Sequence, residues 1–560
     1  MTELRIDFAQ YYRHEEVISH LKQWATEFPN LVNMFSIGKS FRDRDLWMME
    51  ITNKKTGDPS TKPGYYIDAV THPEEVSGAM VAQYSIWYLL ENYGKDNKVT
   101  RLLDTQTVYV LPFVNPDAYE ICMDRLYYEW HGTARYLPGD DQVGPGLHYA
   151  DMDGDGHILK MRMKDPKGEW KISEKDNRIM LRREPFEFDG TYYRVLPEGQ
   201  IEDYDGVSFD IPRPRDGNLN RNYPANWGTE VQQYGAGEAP LSEPETRALV
   251  NFIKTHKNVS GIVHYHTNAG TIMPPFRPSD DPLSIRDEAL FRKIGKMGAE
   301  ETGYTLIMTE EEFSGKAHKP RMGTSGNFMY GQNGILVFVT ELWDVYKETG
   351  MGGHKMSGKP ELSEDDVLKL LAWNDKYFDG DAFKDWQAFQ HPQLGEVEIG
   401  GWKTLMIFRN PPPQLLPEMA HKNCQFTIKH ALAAPLLRIT KAEATQLSEQ
   451  VFRIDAVVEN HGYLSTDVTD RAVEMKVVAP CTATLELGEG VELVAGTPTV
   501  ELGHLAGWSD RNDEYTRFSQ WSASAKASQW VIRTADSSAT VRVVAQSTRA
   551  GTDSQTLTLQ

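Results

Sequence analysis

The chain has 560 residues, 40% hydrophobic and 25% charged, a globular composition that excludes disorder and is long enough for one large domain with a smaller one beside it. Asp and Glu number 80 against 59 Lys and Arg, a formal charge of -21. That charge repels phosphate backbones and anionic lipid heads, so nucleic acid and membranes are set aside as partners.

In chain order, Val17, Leu21, Trp24 and Phe28 share one helical face, and Pro29 ends the helix they predict. Apolar runs opening at Leu31 and Leu46 read as strands. YYIDAV from Tyr65 reads as a buried strand leading into Thr71 and His72. Met80, Tyr84, Trp87 and Tyr88 repeat at helical spacing and predict a helix over 76–93. A strand-like run from Val108 stops at Pro116. Residues 119–217 are rich in Gly, Asp and Pro and read as a long insertion. Ser242 and Glu245 form a capping-box pattern, with Pro244 in the first turn of the helix that follows. SGIVHYHT from Ser260 and ILVFVTEL from Ile335 are strands; 282–302, 364–378 and 417–433 are helical. Strands separated by helices predict an α/β domain with a mixed, mainly parallel sheet flanked by helices, over residues 1–434.

Beyond Leu436 helical periodicity disappears. Phe452, Ile454, Ala456 and Val458 alternate with other residues, as do Ala539, Val541, Val543 and Ala545. Residues 435–560 are therefore expected to form an all-β sandwich. Cys122, Cys424 and Cys481 are far apart and odd in number, which suggests neither a disulfide framework nor a thiolate zinc site. With no basic region followed by an apolar one at the start of the chain, the expected location is cytoplasmic.

His72-Pro73-Glu74-Glu75 stands at the carboxyl end of a predicted buried strand, where open α/β sheets place their sites. Imidazole and carboxylate suit zinc, which in catalytic sites takes three protein ligands. A second strand end carries His264 and His266, which face the same side, so either could complete a His-Glu-His set. A third carries Glu341 at the close of an apolar strand, a costly place for a carboxylate without work to do. Beside a metal it would act as a general base.

The order of these residues, with Asn218-Leu219-Asn220-Arg221-Asn222 between the two metal segments, resembles the carboxypeptidase A-like zinc metallopeptidases over about residues 11–434, most of the chain. The resemblance implies the zinc carboxypeptidase fold, with His72 and Glu75 as zinc ligands. It favours His266 as the third ligand over His264, because Thr267 follows it. It makes Glu341 the base toward zinc-activated water, and Asn220 with Arg221 the holders of a substrate's C-terminal carboxylate. The family's second arginine polarises the scissile carbonyl; Arg162 is the first candidate for that role and Arg135 the next. The family commonly has Arg before the ligand Glu, where this chain has Glu74.

Asp151, Asp153 and Asp155 imitate the first half of a calcium loop, although Arg162 occupies the position where such a loop ends in Glu. Near the expected specificity pocket, Gly326 and Asn327 argue against a preference for basic C-terminal residues. The leading expectation is a zinc-dependent metallocarboxypeptidase acting on peptides with a free C-terminal carboxylate. The alternatives are a zinc amidohydrolase or deacylase on small carboxylate-bearing amides or cell-wall peptides, and a non-catalytic binding protein. The sequence does not set the oligomeric state.

Overall fold

A computed structural model describes residues 6–125, 131–136, 144–212, 217–315, 320–352, 362–510, 523–536 and 538–559. An eight-stranded sheet runs through the first 350 residues. In chain order its strands are β1 (Val32–Lys39), β2 (Asp45–Ile51), β3 (Gly64–Ala69), β4 (Thr107–Leu111), β5 (Val259–Thr267), β6 (Thr271–Met273), β7 (Thr305–Leu306) and β8 (Leu336–Leu342). They lie in the order β1-β2-β4-β3-β5-β8-β6-β7. The central four, β4-β3-β5-β8, are parallel, while β1, β2 and β6 join antiparallel.

β3 and β5 are buried along their whole length, which explains why both read as continuous apolar runs and not as alternating ones. Their two faces nevertheless feed different cores. Tyr65, Ile67, Val263 and Tyr265 pack under helices Ser77–Asn92 and Leu416–Leu432. Tyr66 and Ile262 face the opposite way, toward helices Pro244–Thr255 and Ile285–Thr302. Asp68, His264 and His266 share that second face by strand alternation, at the carboxyl end where the apolar core stops.

The capping box expected at Ser242 does not form. Glu243 is the N-cap, Ser242 Oγ accepts from Asn222 Nδ2 at 2.8 Å, and Glu245 turns away to accept from the Phe41 N–H at 2.8 Å. Asn222 outcompetes the helix terminus: its amide also reaches the carbonyls of Ala236 and Ala239, tying the 217–243 loop to the helix start.

Part of the expected insertion builds a second, six-stranded sheet. Strands Lys160–Lys164, Trp170–Ile172, Met180–Arg182 and Tyr193–Pro197 join the hairpin Phe383–His391 and Gly395–Trp402. The hairpin was not legible in the sequence. The described strands within 437–558 form two four-stranded antiparallel sheets, and the alternating residues Phe452, Ile454, Ala456, Val458, Val541, Val543 and Ala545 all lie in the core between them. Arg286 with Asp467 and Asp470, and Arg471 with Asp281, join this unit to the α/β body. Cys122, Cys424 and Cys481 are buried free thiols. Among the described residues no helix is long and apolar enough to cross a membrane.

Candidate metal centre and substrate cleft

β3 ends at Ala69, and Val70 takes a left-handed conformation (φ 55°) that turns the chain sharply toward Thr71 and His72. A β-branched residue rarely sits there, so the turn is held by its surroundings. The Asn115 N–H donates to the Val70 carbonyl at 2.9 Å, and the next helix opens at Ser77, whose N–H is fixed by Asn410 Oδ1 at 2.9 Å. Glu75 lies between, on the way from strand to helix.

His266 arrives from β5, in register with Glu341 on β8. One donor atom each from His72, Glu75 and His266 lies within 4.8 Å of the others. His72 Nδ1 is 2.9 Å from Glu75 Oε1, His266 Nδ1 is 2.9 Å from Glu75 Oε2, and the two Nδ1 atoms are 3.3 Å apart. Two nitrogens bound at about 2.05 Å to one tetrahedral zinc lie about 3.3 Å apart, so this donor set fits zinc in chemistry and in spacing. The His72 ring is oriented by Asn218, whose Oδ1 accepts from Nε2 at 3.1 Å. That bond puts the ring proton on Nε2 and turns the Nδ1 lone pair to the ligand cluster. His264, the alternative ligand, is engaged elsewhere: its Nδ1 is 2.6 Å from Asp68 Oδ1 on β3.

Burial opposes ionisation of Glu75, but His72 and His266 outweigh it and hold the carboxylate well below its usual range. Glu341 is pushed up to about 7 by burial and by the neighbouring Glu75 charge, with His266 and Arg409 pulling the other way. Two carboxylates lining one cleft are thus driven in opposite directions, one toward a ligand and one toward a proton carrier.

These groups open on a cleft of about 920 Å³ that includes solvent at its mouth. Asn220 and Arg221 line it from the 3-10 turn Leu219–Arg221. Asn220 Oδ1 accepts from the Ser325 N–H at 2.9 Å, and Arg221 donates to the Asn220 carbonyl at 2.7 Å. Gly323 (φ 64°) packs against this turn so closely that a Cβ would fall 2.2 Å from the Arg221 carbonyl oxygen, a place only glycine fits. The helix Ser325–Gly331 begins just beyond, capped by Thr324, and brings Gly326 and Asn327 to the wall, with Met273, Phe276, Phe313 and Val339 supplying the apolar part.

Arg162, expected beside the scissile carbonyl, does not reach the cleft. It is buried within the six-stranded sheet, where Nε bonds Glu398 Oε2 at 2.8 Å on the paired strand and the guanidinium lies 4.6 Å from the Trp386 ring centre. It is a structural arginine because the insertion that carries it folds onto the 383–402 hairpin. Arg135 bonds Glu243 Oε2 at 3.2 Å and covers the Phe41 ring, also outside the cleft lining. The calcium expectation gains no support: ligand atoms of Asp151, Asp153 and Glu198 lie within 4.8 Å of one another, but Asp153 and Asp155 both bond Lys384 Nζ at 2.6 Å, and Asp151 accepts from the N–H groups of Gly154 and Gly156.

Sequence reasoning missed Asn218, His131, Arg321 and Arg409. The His131 ring lies against the His72 ring, tilted by 31° with centres 4.5 Å apart, and its Nδ1 is 2.5 Å from Glu74 Oε1; with Arg321 and Arg409 it lines the cleft. Asn218 stood next to a recognised motif and carried a readable signal; the other three are lone polar residues in irregular stretches.

Residues 17–137 and 198–353 match the family described as zinc carboxypeptidase, and 436–558 match a domain of unknown function. Carboxypeptidase D of Anas platyrhynchos is 30% identical over 115 residues, 20% of this chain and 8% of that protein. Carboxypeptidase M of Mus musculus is 29% identical over 131 residues, 23% of this chain and 29% of that protein. The match therefore spans 8% and 29% of the length of these two relatives. Among solved structures, that of thrombin activatable fibrinolysis inhibitor superposes with a TM-score of 0.44 at 14% identity, covering 77% of this chain and 76% of that one.

Proposed function

Because the chain belongs to the zinc carboxypeptidase family, we propose that it hydrolyses the C-terminal peptide bond of peptides, with His72, Glu75 and His266 holding zinc and Glu341 serving as general base. The observation that carries the reading is the convergence of those three donor groups beside a fourth, non-ligating carboxylate at the floor of one cleft. Zinc bound there would supply Lewis acidity toward the attacking water and the peptide carbonyl. Glu341, pushed up to about 7, is suited to take a proton from water and return it to the leaving amine. Arg221, a planar fork in a turn braced by Asn220 and Ser325, selects the free carboxylate of the substrate's last residue. The apolar wall of Met273, Phe276, Phe313 and Val339 receives its side chain. Residues 1–434 form the catalytic unit and 435–560 an accessory sandwich.

The test is direct. Purified protein should hold one zinc per chain, release the last amino acid from amino-blocked dipeptides, and stop when a chelator removes the metal. A metal-free preparation indifferent to chelators, or one that cleaves amidated and free-acid peptides equally, would end this reading.

A further inference from the structure

The helix Ser325–Gly331, which brings Gly326 and Asn327 to the cleft wall, ends against the sandwich. The last carbonyls of a helix have no partner within it, and here side chains of the sandwich supply one. Arg471 Nε donates to the Gly331 carbonyl at 2.8 Å, and Thr469 Oγ1 and Arg549 Nη1 each donate to the Gly334 carbonyl at 2.6 Å. Gly334 (φ 58°) lies so near the sandwich that a Cβ would fall 2.4 Å from the Ala472 backbone. Asp287 closes the joint from the other side: its carboxylate accepts from the Asp470 N–H at 2.8 Å, the Arg471 N–H at 3.2 Å and the Tyr330 hydroxyl at 2.7 Å.

From this joint a chain of polar contacts leads back to the cleft. The two Nη atoms of Arg471 donate to the two oxygens of Asp281, at 3.0 and 2.9 Å. The same carboxylate accepts from Arg277 Nη2, and Arg277 Nη1 donates to Asn327 Oδ1 at 3.0 Å. Arg277 follows Phe276 directly, so one guanidinium stitches together two stretches of the cleft wall, 273–276 and 325–327. Its side chain is 7% exposed, and a cation so covered depends on its carboxylate partner. Asp281 stands in an irregular stretch between β6 and the helix Ile285–Thr302. The Arg471 fork, itself tied to Gly331, gives that carboxylate a fixed partner. At the far end of the chain, a guanidinium donates and never accepts, so the Asn327 amide turns its oxygen to Arg277 and keeps its NH2 group for the pocket.

We propose that Arg471 of the sandwich is a positioning residue for the side-chain pocket: through Asp281 and Arg277 it fixes the Asn327 amide, whose NH2 group selects a C-terminal side chain with an apolar stem and a hydrogen-bond acceptor at its end. This rests on the carboxypeptidase reading and gives the sandwich a part in substrate choice. The apolar wall of Met273, Phe276, Phe313 and Val339 takes the stem. Glutamine and glutamate meet both requirements. Methionine, of similar length, offers only a weak acceptor, and lysine would set donors against donors. Arg471 does not line the cleft, so removing it leaves the reacting groups in place and frees the Asn327 amide to turn.

The experiment measures kcat/KM of the full, zinc-loaded chain on amino-blocked dipeptides ending in glutamine and in methionine, and reads their ratio. The wild type should favour glutamine by about five- to tenfold, the share of one hydrogen bond. Arg471→Ala should bring the ratio to within about twofold of unity, the loss falling on KM for the glutamine substrate and not on kcat. Arg471→Lys keeps the charge without the fork and should keep part of the preference. Asp281→Asn breaks the same chain of contacts from within the α/β body, so it carries the comparison if Arg471→Ala does not fold, and the double variant should add little to either. Arg286→Ala cuts different contacts between the same two units, to Asp467 and Asp470, and should leave the ratio as it is. A wild type indifferent to the two side chains, an Arg471→Ala that slows both substrates alike, or an Arg286→Ala that moves the ratio as far, overturns the assignment while leaving the activity standing. A wild type that cleaves no free-acid dipeptide overturns the carboxypeptidase reading itself.

Discussion

Asn218 Oδ1 accepts the His72 Nε2 proton at 3.1 Å and the Asn220 N–H at 2.8 Å, so one amide oxygen sets both the tautomer of a proposed zinc ligand and the start of the turn that presents Arg221. Metal site and carboxylate anchor are thereby joined through a single side chain, although 146 positions separate His72 from Asn218. Removing it should loosen both. Asn218→Ala is expected to weaken zinc affinity by about 10–100-fold, measured by competition with a chromophoric chelator, and to raise KM for peptides with a free carboxylate. Unchanged affinity for both would mean that the His72 ring is oriented by its other neighbours.

Glu341 and Glu75 test the division of labour between carrier and ligand. Glu341→Gln preserves shape and should retain zinc while losing turnover by on the order of 10²–10⁴-fold, the range for a positioned general base. His72→Ala should lose zinc and turnover together. Metal analysis alongside single-turnover rates separates the two, and appreciable turnover in Glu341→Gln would move the base elsewhere.

Gly323 and Arg221 form a contact that tolerates no side chain. Gly323→Ala places a methyl where the Arg221 carbonyl stands, at a backbone conformation that alanine disfavours, and should cost upward of 1 kcal/mol in stability. The turn carrying Arg221 must shift to admit it. We expect KM to rise with kcat less affected. Arg221→Ala should raise KM more strongly, about ten- to a hundredfold for the loss of a charge-assisted pair, and the double variant should add little to that. Additive effects would show that Gly323 acts through stability alone.

How much of this was legible before folding depends on how local each signal is. His72, Glu75, His266 and Glu341 sit at the ends of strands that read as buried runs, and strand alternation alone put His266 and His264 on one face. The preference for His266 over His264 came from the resemblance, through Thr267; its physical counterpart is Asp68, which engages His264 from a strand almost 200 positions away. Arg162 failed for the same kind of reason. Its partners Glu398 and Trp386 lie on a hairpin more than 200 positions later, and no spacing rule reports which stretch an insertion will pack against. Arg409 was passed over inside a proline-rich irregular stretch, since its place in the cleft comes from hydrogen bonds made by Phe408 and Asn410 and not from any periodicity. The sandwich was the easier case, because period-two alternation is local and its apolar residues became the core directly.

Glu245 offers a stability test that does not touch the cleft. The sequence pattern made it a capping residue; in the structure it is buried, accepting from the Phe41 N–H through one oxygen while the other has no hydrogen-bond partner among the described residues. Burial, with smaller contributions from Glu243 and Asp117, raises its pKa from 4.5 to about 7. The folded state therefore holds a proton that the unfolded chain has already released between those two values. Stability from this group is fully present below about pH 4.5, falls as pH rises, and is lost once pH passes about 7, a change of about 3 kcal/mol. Glu245→Gln keeps the acceptor for Phe41 and removes the titration. Its unfolding free energy should lose on the order of 3 kcal/mol less than the wild type's between pH 5 and pH 8. Denaturant melts at several pH values give the comparison, and parallel curves for the two proteins would show that Glu245 stays ionised in the fold.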